Sequence, residues 1–141
     1  MDRPAVLDHV GLSVGDLAAM RDWYCGALGL RATEEFSVPA LNLRGVFVLG
    51  DGGIAIELLE RAGSVAGPPA QDQATALLTR GFGHICLRVQ DVEQMHRDLL
   101  QAGAQERMSP RESPEAGVRM SFVADPEGNF IELIDRKGPV Q

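Results

Sequence analysis

Apolar and polar positions alternate over residues 7–14, with Val10, Leu12 and Val14 on one side, and this pattern predicts a strand. Asp16 follows as the expected N-cap. Leu17, Met20, Tyr24 and Ala27 then recur at the spacing of one helical face. Three strand-like runs come next, at about 30–38, 44–49 and 54–60, the last two separated by the turn Asp51-Gly52-Gly53. The same order then returns. Ile85, Leu87 and Val89 alternate, Asp91 stands as N-cap, and Val92, Met95, Leu99 and Ala102 form a helical stripe that Gly103 ends. Strand-like runs at 104–109, 118–124 and 129–135 follow, with Asp125-Pro126-Glu127-Gly128 between the last two.

The recurrence extends to identities. A shift of 75 residues, without a gap, places His9 on His84 and Glu57 on Glu132. It also superposes Leu12 on Leu87, Asp16 on Asp91, Phe47 on Phe122 and Gly53 on Gly128. Unrelated segments agree at roughly one position in fifteen, so chance does not account for this. The chain therefore reads as one domain of two tandem βαβββ modules, at 5–61 and 81–136, joined by a linker at 62–80. The linker opens with the loop signal Gly63-Ser64-Val65-Ala66-Gly67-Pro68-Pro69, and a short helix is predicted over Gln71–Thr79. The fold class is α+β, a curved, barrel-like mixed sheet around a cavity.

Strand geometry assigns the faces, because residues two apart share one. Val10, Leu12 and Val14, with Ile85, Leu87 and Val89, are expected under the helices, as are Ile56, Leu58, Ile131 and Leu133. His9, His84, Glu57 and Glu132 point to the uncovered face, which becomes concave if the sheets curl.

Composition narrows the function. The chain is 45% apolar and 23% charged, as in ordinary soluble domains. Thirteen basic against twenty acidic residues give a net charge of -7, and no basic run exists, which argues against a nucleic-acid partner. No apolar run approaches the length of a membrane span, and the first residues lack a secretion signal's apolar stretch. Two cysteines, Cys25 and Cys86, make no disulfide framework and fit a reduced, cytoplasmic setting. A small molecule is the expected partner.

A glutamate in mid-strand between apolar neighbours needs a counter-charge, because a lone carboxylate shielded from water costs several kcal/mol. For any one residue, an arginine such as Arg44 or Arg119 would serve beside Glu57 or Glu132, with each histidine merely hydrogen-bonded. For all four residues at matched positions, a shared divalent cation on two carboxylates and two imidazoles is favoured. Zn, Ni, Co, Fe and Mn all suit that donor set.

Four segments resemble the vicinal oxygen chelate superfamily, the glyoxalase, bleomycin-resistance and dioxygenase group. They are LDHVGLSVGDL at 7–17, IAIELLE at 54–60, GFGHICLRVQDV at 81–92 and FVADPEGNFIELID at 122–135. The resemblance implies paired modules forming a cup around a divalent metal held by His9, Glu57, His84 and Glu132, a set similar to that of glyoxalase I. It also implies Glu132 as the carboxylate that acts as base, with Glu57 as its symmetry mate, and a homodimer. The implied chemistry is proton transfer next to a carbonyl, a lyase or isomerase step on a substrate chelated through vicinal oxygens. Three alternatives stay open. One is a methylmalonyl-CoA epimerase-like isomerase, from which Gly83-His84 and Asp125-Pro126-Glu127 depart. Another is an extradiol dioxygenase with Fe(II) on His9, His84 and Glu132. The third is a non-catalytic antibiotic binder. No glutathione-binding motif is evident.

Other features read as structural. Gly11-Leu12-Ser13-Val14-Gly15 fits a hydrolase pattern, but Ser13 falls within a strand rather than at a strand-to-helix turn. His96 is expected on the solvated side of the second helix, and Trp23 and Tyr24 in helix packing. Cys86 is expected near the cavity without a catalytic role, and Arg44 and Arg88 in salt bridges rather than on an anionic substrate.

Overall fold

A computed structural model describes residues 3–140. The chain divides into two compact units, the first ending at Ala66 and the second beginning at Gly67, so the division falls in the expected linker. The first unit runs β1 (Val10–Ser13), α1 (Leu17–Leu28), β2 (Arg31–Ala32), β3 (Phe36–Val38), β4 (Leu43–Leu49) and β5 (Ala55–Arg61). The second runs α2 (Gln73–Ala76), β6 (His84–Arg88), α3 (Val92–Gln101), β7 (Gln105–Glu112), β8 (Arg119–Ala124) and β9 (Phe130–Ile134).

Each unit builds one mixed sheet. The first has the order β1-β5-β4-β2, with β3 also on β4; the second has β6-β9-β8-β7. The α+β class is as expected, and its strands form two sheets, not a closed barrel. The duplication reaches the hydrogen-bond register. β1 lies parallel to β5 with Val10 opposite Ile56 and Gly11 opposite Glu57. β6 lies parallel to β9 with Ile85 opposite Ile131 and Cys86 opposite Glu132. Phe47 faces Glu57 across β4–β5, and Phe122 faces Glu132 across β8–β9.

The helices form where the caps and stripes require. Asp16 accepts a hydrogen bond from the Ala19 amide at 3.0 Å, and Asp91 accepts one from Gln94 at 3.0 Å. Helix α1 ends on Gly29 in the left-handed region, φ 66°, where glycine alone avoids Cβ strain. In the first unit Leu17, Met20 and Tyr24 are buried together with Val46, Val48, Ile56 and Leu58. In the second, Val92 and Leu99 are buried with Val123, Ile131 and Leu133.

Four expectations need correction. The first strand begins only at Val10, which is itself 37% exposed, and Leu7 is exposed. Its register with β5 opens with Val10 opposite Ile56, one position inside the start of β5 at Ala55. The 30–38 run splits into β2 and β3 at Thr33, whose amide still donates to the Phe47 carbonyl at 2.9 Å while its Oγ1, in place of its own carbonyl, accepts from the Phe47 amide at 3.1 Å. The linker helix spans four residues, Gln73–Ala76, its start fixed by Asp72 accepting from the Thr75 amide at 2.8 Å. His96 is not solvated but 3% exposed. The buried residues of α3 are Val92, His96 and Leu99, a stripe of i, i+4, i+7 spacing that runs through the histidine.

Candidate metal centre

In each unit the face opposite the helix carries one imidazole and one carboxylate. The alternation that buries Ile56 and Leu58 turns Glu57 outward, and that of Ile131 and Leu133 turns Glu132 outward. His9 directly precedes β1, and His84 opens β6 opposite Phe130. His9 Nε2 stands 3.5 Å from Glu57 Oε1, and His84 Nε2 stands 3.1 Å from Glu132 Oε2. The paired phenylalanines hold the rings. His9 lies edge-on to Phe47 with centroids 5.1 Å apart, and His84 lies edge-on to Phe122 at 5.2 Å. Among the described residues the pairs His9–Glu57 and His84–Glu132 are brought together, and no group of three or more potential metal ligands is.

The far nitrogen of each ring is also engaged. His9 Nδ1 hydrogen-bonds Asp8 Oδ2 at 2.7 Å, and His84 Nδ1 faces Gln73 Nε2 at 3.0 Å. The Asp8 hydrogen bond lifts His9 above its usual value, opposed by burial and assisted by Glu57.

The arginines that could have neutralised the two glutamates are engaged elsewhere. Arg44 bonds Glu35 at 3.1 Å and Glu60 at 2.9 Å, so its structural reading holds. Arg119 donates through Nε to Glu93 at 3.0 Å. Glu57 and Glu132 thus keep carboxylate oxygens directed at imidazole nitrogens. Each pair, an imidazole nitrogen beside a carboxylate and without sulfur, offers donors that suit a first-row divalent cation. Cys86 lies across the ladder from Glu132. Its thiol is pushed up to about 12, first by desolvation and then by the Glu132 carboxylate, so it stays protonated at neutral pH.

The profile of the glyoxalase/bleomycin resistance protein/dioxygenase superfamily matches residues 6–133. The chain belongs to that superfamily. Within it, a lactoylglutathione lyase of Arabidopsis thaliana is 28% identical over 131 residues, covering 93% of this chain and 44% of the relative. The chain thus spans less than half the length of that curated relative. A Synechocystis protein named as a probable lactoylglutathione lyase is 30% identical over 130 residues, covering 89% of this chain and 92% of its own. Among solved structures, the trypanothione-dependent glyoxalase I of Leishmania major aligns with a TM-score of 0.69 at 27% identity. That alignment covers 95% of this chain and 88% of that one.

In this superfamily member, four residues around the two pairs were not singled out as site residues from the sequence. Phe47 and Phe122 had a signal, since they match under the 75-residue shift. Asp8 adjoins His9 but has no repeat partner of its type. Gln73 comes from the linker, outside the repeat. Away from the pairs, a cavity of about 780 Å³ lies in the second unit between residues 69–75 and 105–107; Asp72, Thr75 and Arg107 line it, and neither His84 nor Glu132 does.

Proposed function

We propose that this chain is a glyoxalase-like divalent-metal enzyme. Its reaction is proton transfer next to a carbonyl, a lyase or isomerase step of the lactoylglutathione lyase type, on a small substrate presenting two vicinal oxygens. The observation that carries this reading is the twice-repeated His Nε2–Glu carboxylate pair, with Arg44 and Arg119 bonded elsewhere. His9, Glu57, His84 and Glu132 would hold the cation, the two pairs coming from one chain or from two chains of a homodimer. When bound, the metal supplies Lewis-acid polarisation of the substrate carbonyl and stabilises charge developing on its oxygen.

The protein's own groups account for the rest. Glu132 is the base: its carboxylate side chain is 16% exposed, between Phe130 and Ile134 on its own strand and opposite Phe122. The proton taken at a Glu132 Oε returns to the neighbouring carbon. Glu57, 21% exposed, is its counterpart in the first unit. The protonated Cys86 thiol can hydrogen-bond Glu132 and takes no covalent part.

Exchange of the substrate's α-proton in D2O, followed by NMR with hemithioacetals, acyl-CoAs and catechols, tests the reading. Metal-loaded protein should wash deuterium into one class of carbonyl substrate, and Glu132→Gln should lose at least a hundredfold of that rate. Ring cleavage of a catechol without α-proton exchange would refute it.

A further inference from the structure

The two histidines differ in what holds their far nitrogen. Asp8 presents a carboxylate to His9 Nδ1, and a carboxylate only accepts. Asp8 at 2.7 Å is the closer acceptor than Glu57 at 3.5 Å, so a neutral His9 carries its proton on Nδ1 and directs a lone pair from Nε2 toward Glu57. His84 is different. Its Nδ1 faces the amide nitrogen of Gln73 at 3.0 Å, and an amide nitrogen only donates. A neutral His84 in this arrangement keeps its lone pair on Nδ1 and its proton on Nε2, where it donates to Glu132 Oε2 at 3.1 Å. That tautomer cannot ligate through Nε2.

Gln73 has a second orientation. Its Oε1 is buried with no hydrogen-bond partner. A buried polar atom left unmade costs about 1–3 kcal/mol, and a half-turn exchanges an unmet acceptor for an unmet donor at the same place, so neither orientation is strongly favoured. Rotation of the amide by a half-turn brings Oε1 to Nδ1, which then carries the proton and frees the Nε2 lone pair. A neutral amide carries a donor and an acceptor on one carbon, so a half-turn serves either tautomer from the same place.

The geometry points to Gln73 as a positioning residue for His84, a two-way amide whose half-turn moves the imidazole proton from Nε2 to Nδ1 as the metal is taken up. His9, held by Asp8, is set in the ligating tautomer beforehand. The inference rests on the proposed metal site. Its atoms balance: the proton leaving Nε2 passes to solvent, one from solvent enters Nδ1, and the net charge of the ring is unchanged. Partners of this kind govern ligand orientation, and their loss lowers metal affinity by roughly 10–100-fold.

Long-range ¹⁵N–¹H NMR of the histidine rings at pH 8 tests this on the full chain, with and without Zn²⁺. Zinc affinity is measured alongside by competition with a chromogenic chelator. Wild-type His84 should show the Nε2–H pattern without metal and the Nδ1–H pattern with Zn²⁺; His9 should show Nδ1–H in both. Gln73→Glu, an acceptor-only partner, should place His84 in the Nδ1–H form already without metal, and should bind Zn²⁺ at least as tightly as wild type. Gln73→Leu should weaken Zn²⁺ about tenfold or more while His9 keeps its pattern. An unchanged His84 pattern in metal-free Gln73→Glu would overturn the inference, as would a Gln73→Leu affinity within twofold of wild type. Failure of the wild-type chain to bind Zn²⁺ would overturn the metal reading itself, whereas the metal-free spectra judge the role of Gln73 separately.

Discussion

His96 ties α3 to the second sheet from within the core, and replacing it should loosen that unit by a calculable amount. Its Nδ1 pairs with Ser121 Oγ at 2.9 Å and its Nε2 with Glu106 Oε2 at 2.7 Å. Ser121 is fully buried, so in His96→Leu, which keeps most of the volume, its hydroxyl loses its partner without access to water. An orphaned buried polar group costs about 1–3 kcal/mol. The Glu106 side chain is 49% exposed and returns to solvent, so its contribution stays in the surface range of about 0–1 kcal/mol. The expected loss is about 2–3 kcal/mol, which for a chain of this size lowers Tm by roughly 6–10 °C. Urea denaturation of His96→Leu, Ser121→Ala and the double variant measures it. The double variant should be more stable than the sum of the singles predicts, by about 1 kcal/mol or more, because removing Ser121 Oγ removes the orphan. Strict additivity, or a His96→Leu variant within 0.5 kcal/mol of wild type (about the additivity error), would refute the reasoning. Ser121 adjoins Phe122, whose ring lies edge-on to His84, so this brace also supports the strand that packs against the site.

Other outcomes follow from the same geometry. Glu60 Oε2 accepts from the Leu17 amide at 2.7 Å, and that bond, followed by Arg44, holds its carboxyl below the ordinary value of 4.5. Its stabilisation is present above that value and is lost as the pH falls through the lower folded value. Glu60→Gln should therefore cost about 1 kcal/mol at pH 7 in denaturant titrations and converge with wild type in acid. Cys86, pushed up to about 12, should react with a disulfide reagent at pH 8 many-fold more slowly than a free thiol. Cys86→Ser should retain α-proton exchange.

The legible parts of the sequence were those in which one period repeats. The alternation of Ile56 and Leu58 against Glu57, and of Ile131 and Leu133 against Glu132, defines both last strands and both outward glutamates. The stripe Leu17, Met20, Tyr24 is an unbroken apolar helix face. The second stripe hid because its middle member is His96, a polar side chain that is buried only through partners on other strands. Thr33 concealed a break in the second run because a β-branched residue suits a strand, while its hydroxyl, not its backbone carbonyl, accepts from the Phe47 amide. Gln73 left no trace in any periodicity. Its bond to His84 spans eleven residues from a four-residue helix, and only the folded linker brings the two together.

The central claim is that both His–Glu pairs serve one cation, and equilibrium dialysis against Zn²⁺ or Ni²⁺ tests it most directly. Wild-type protein should bind one ion per chain. His9→Ala and His84→Ala should each abolish or greatly weaken that same ion while circular dichroism shows an intact fold. Two independent ions per chain, or a full ion retained after either substitution, would contradict the account.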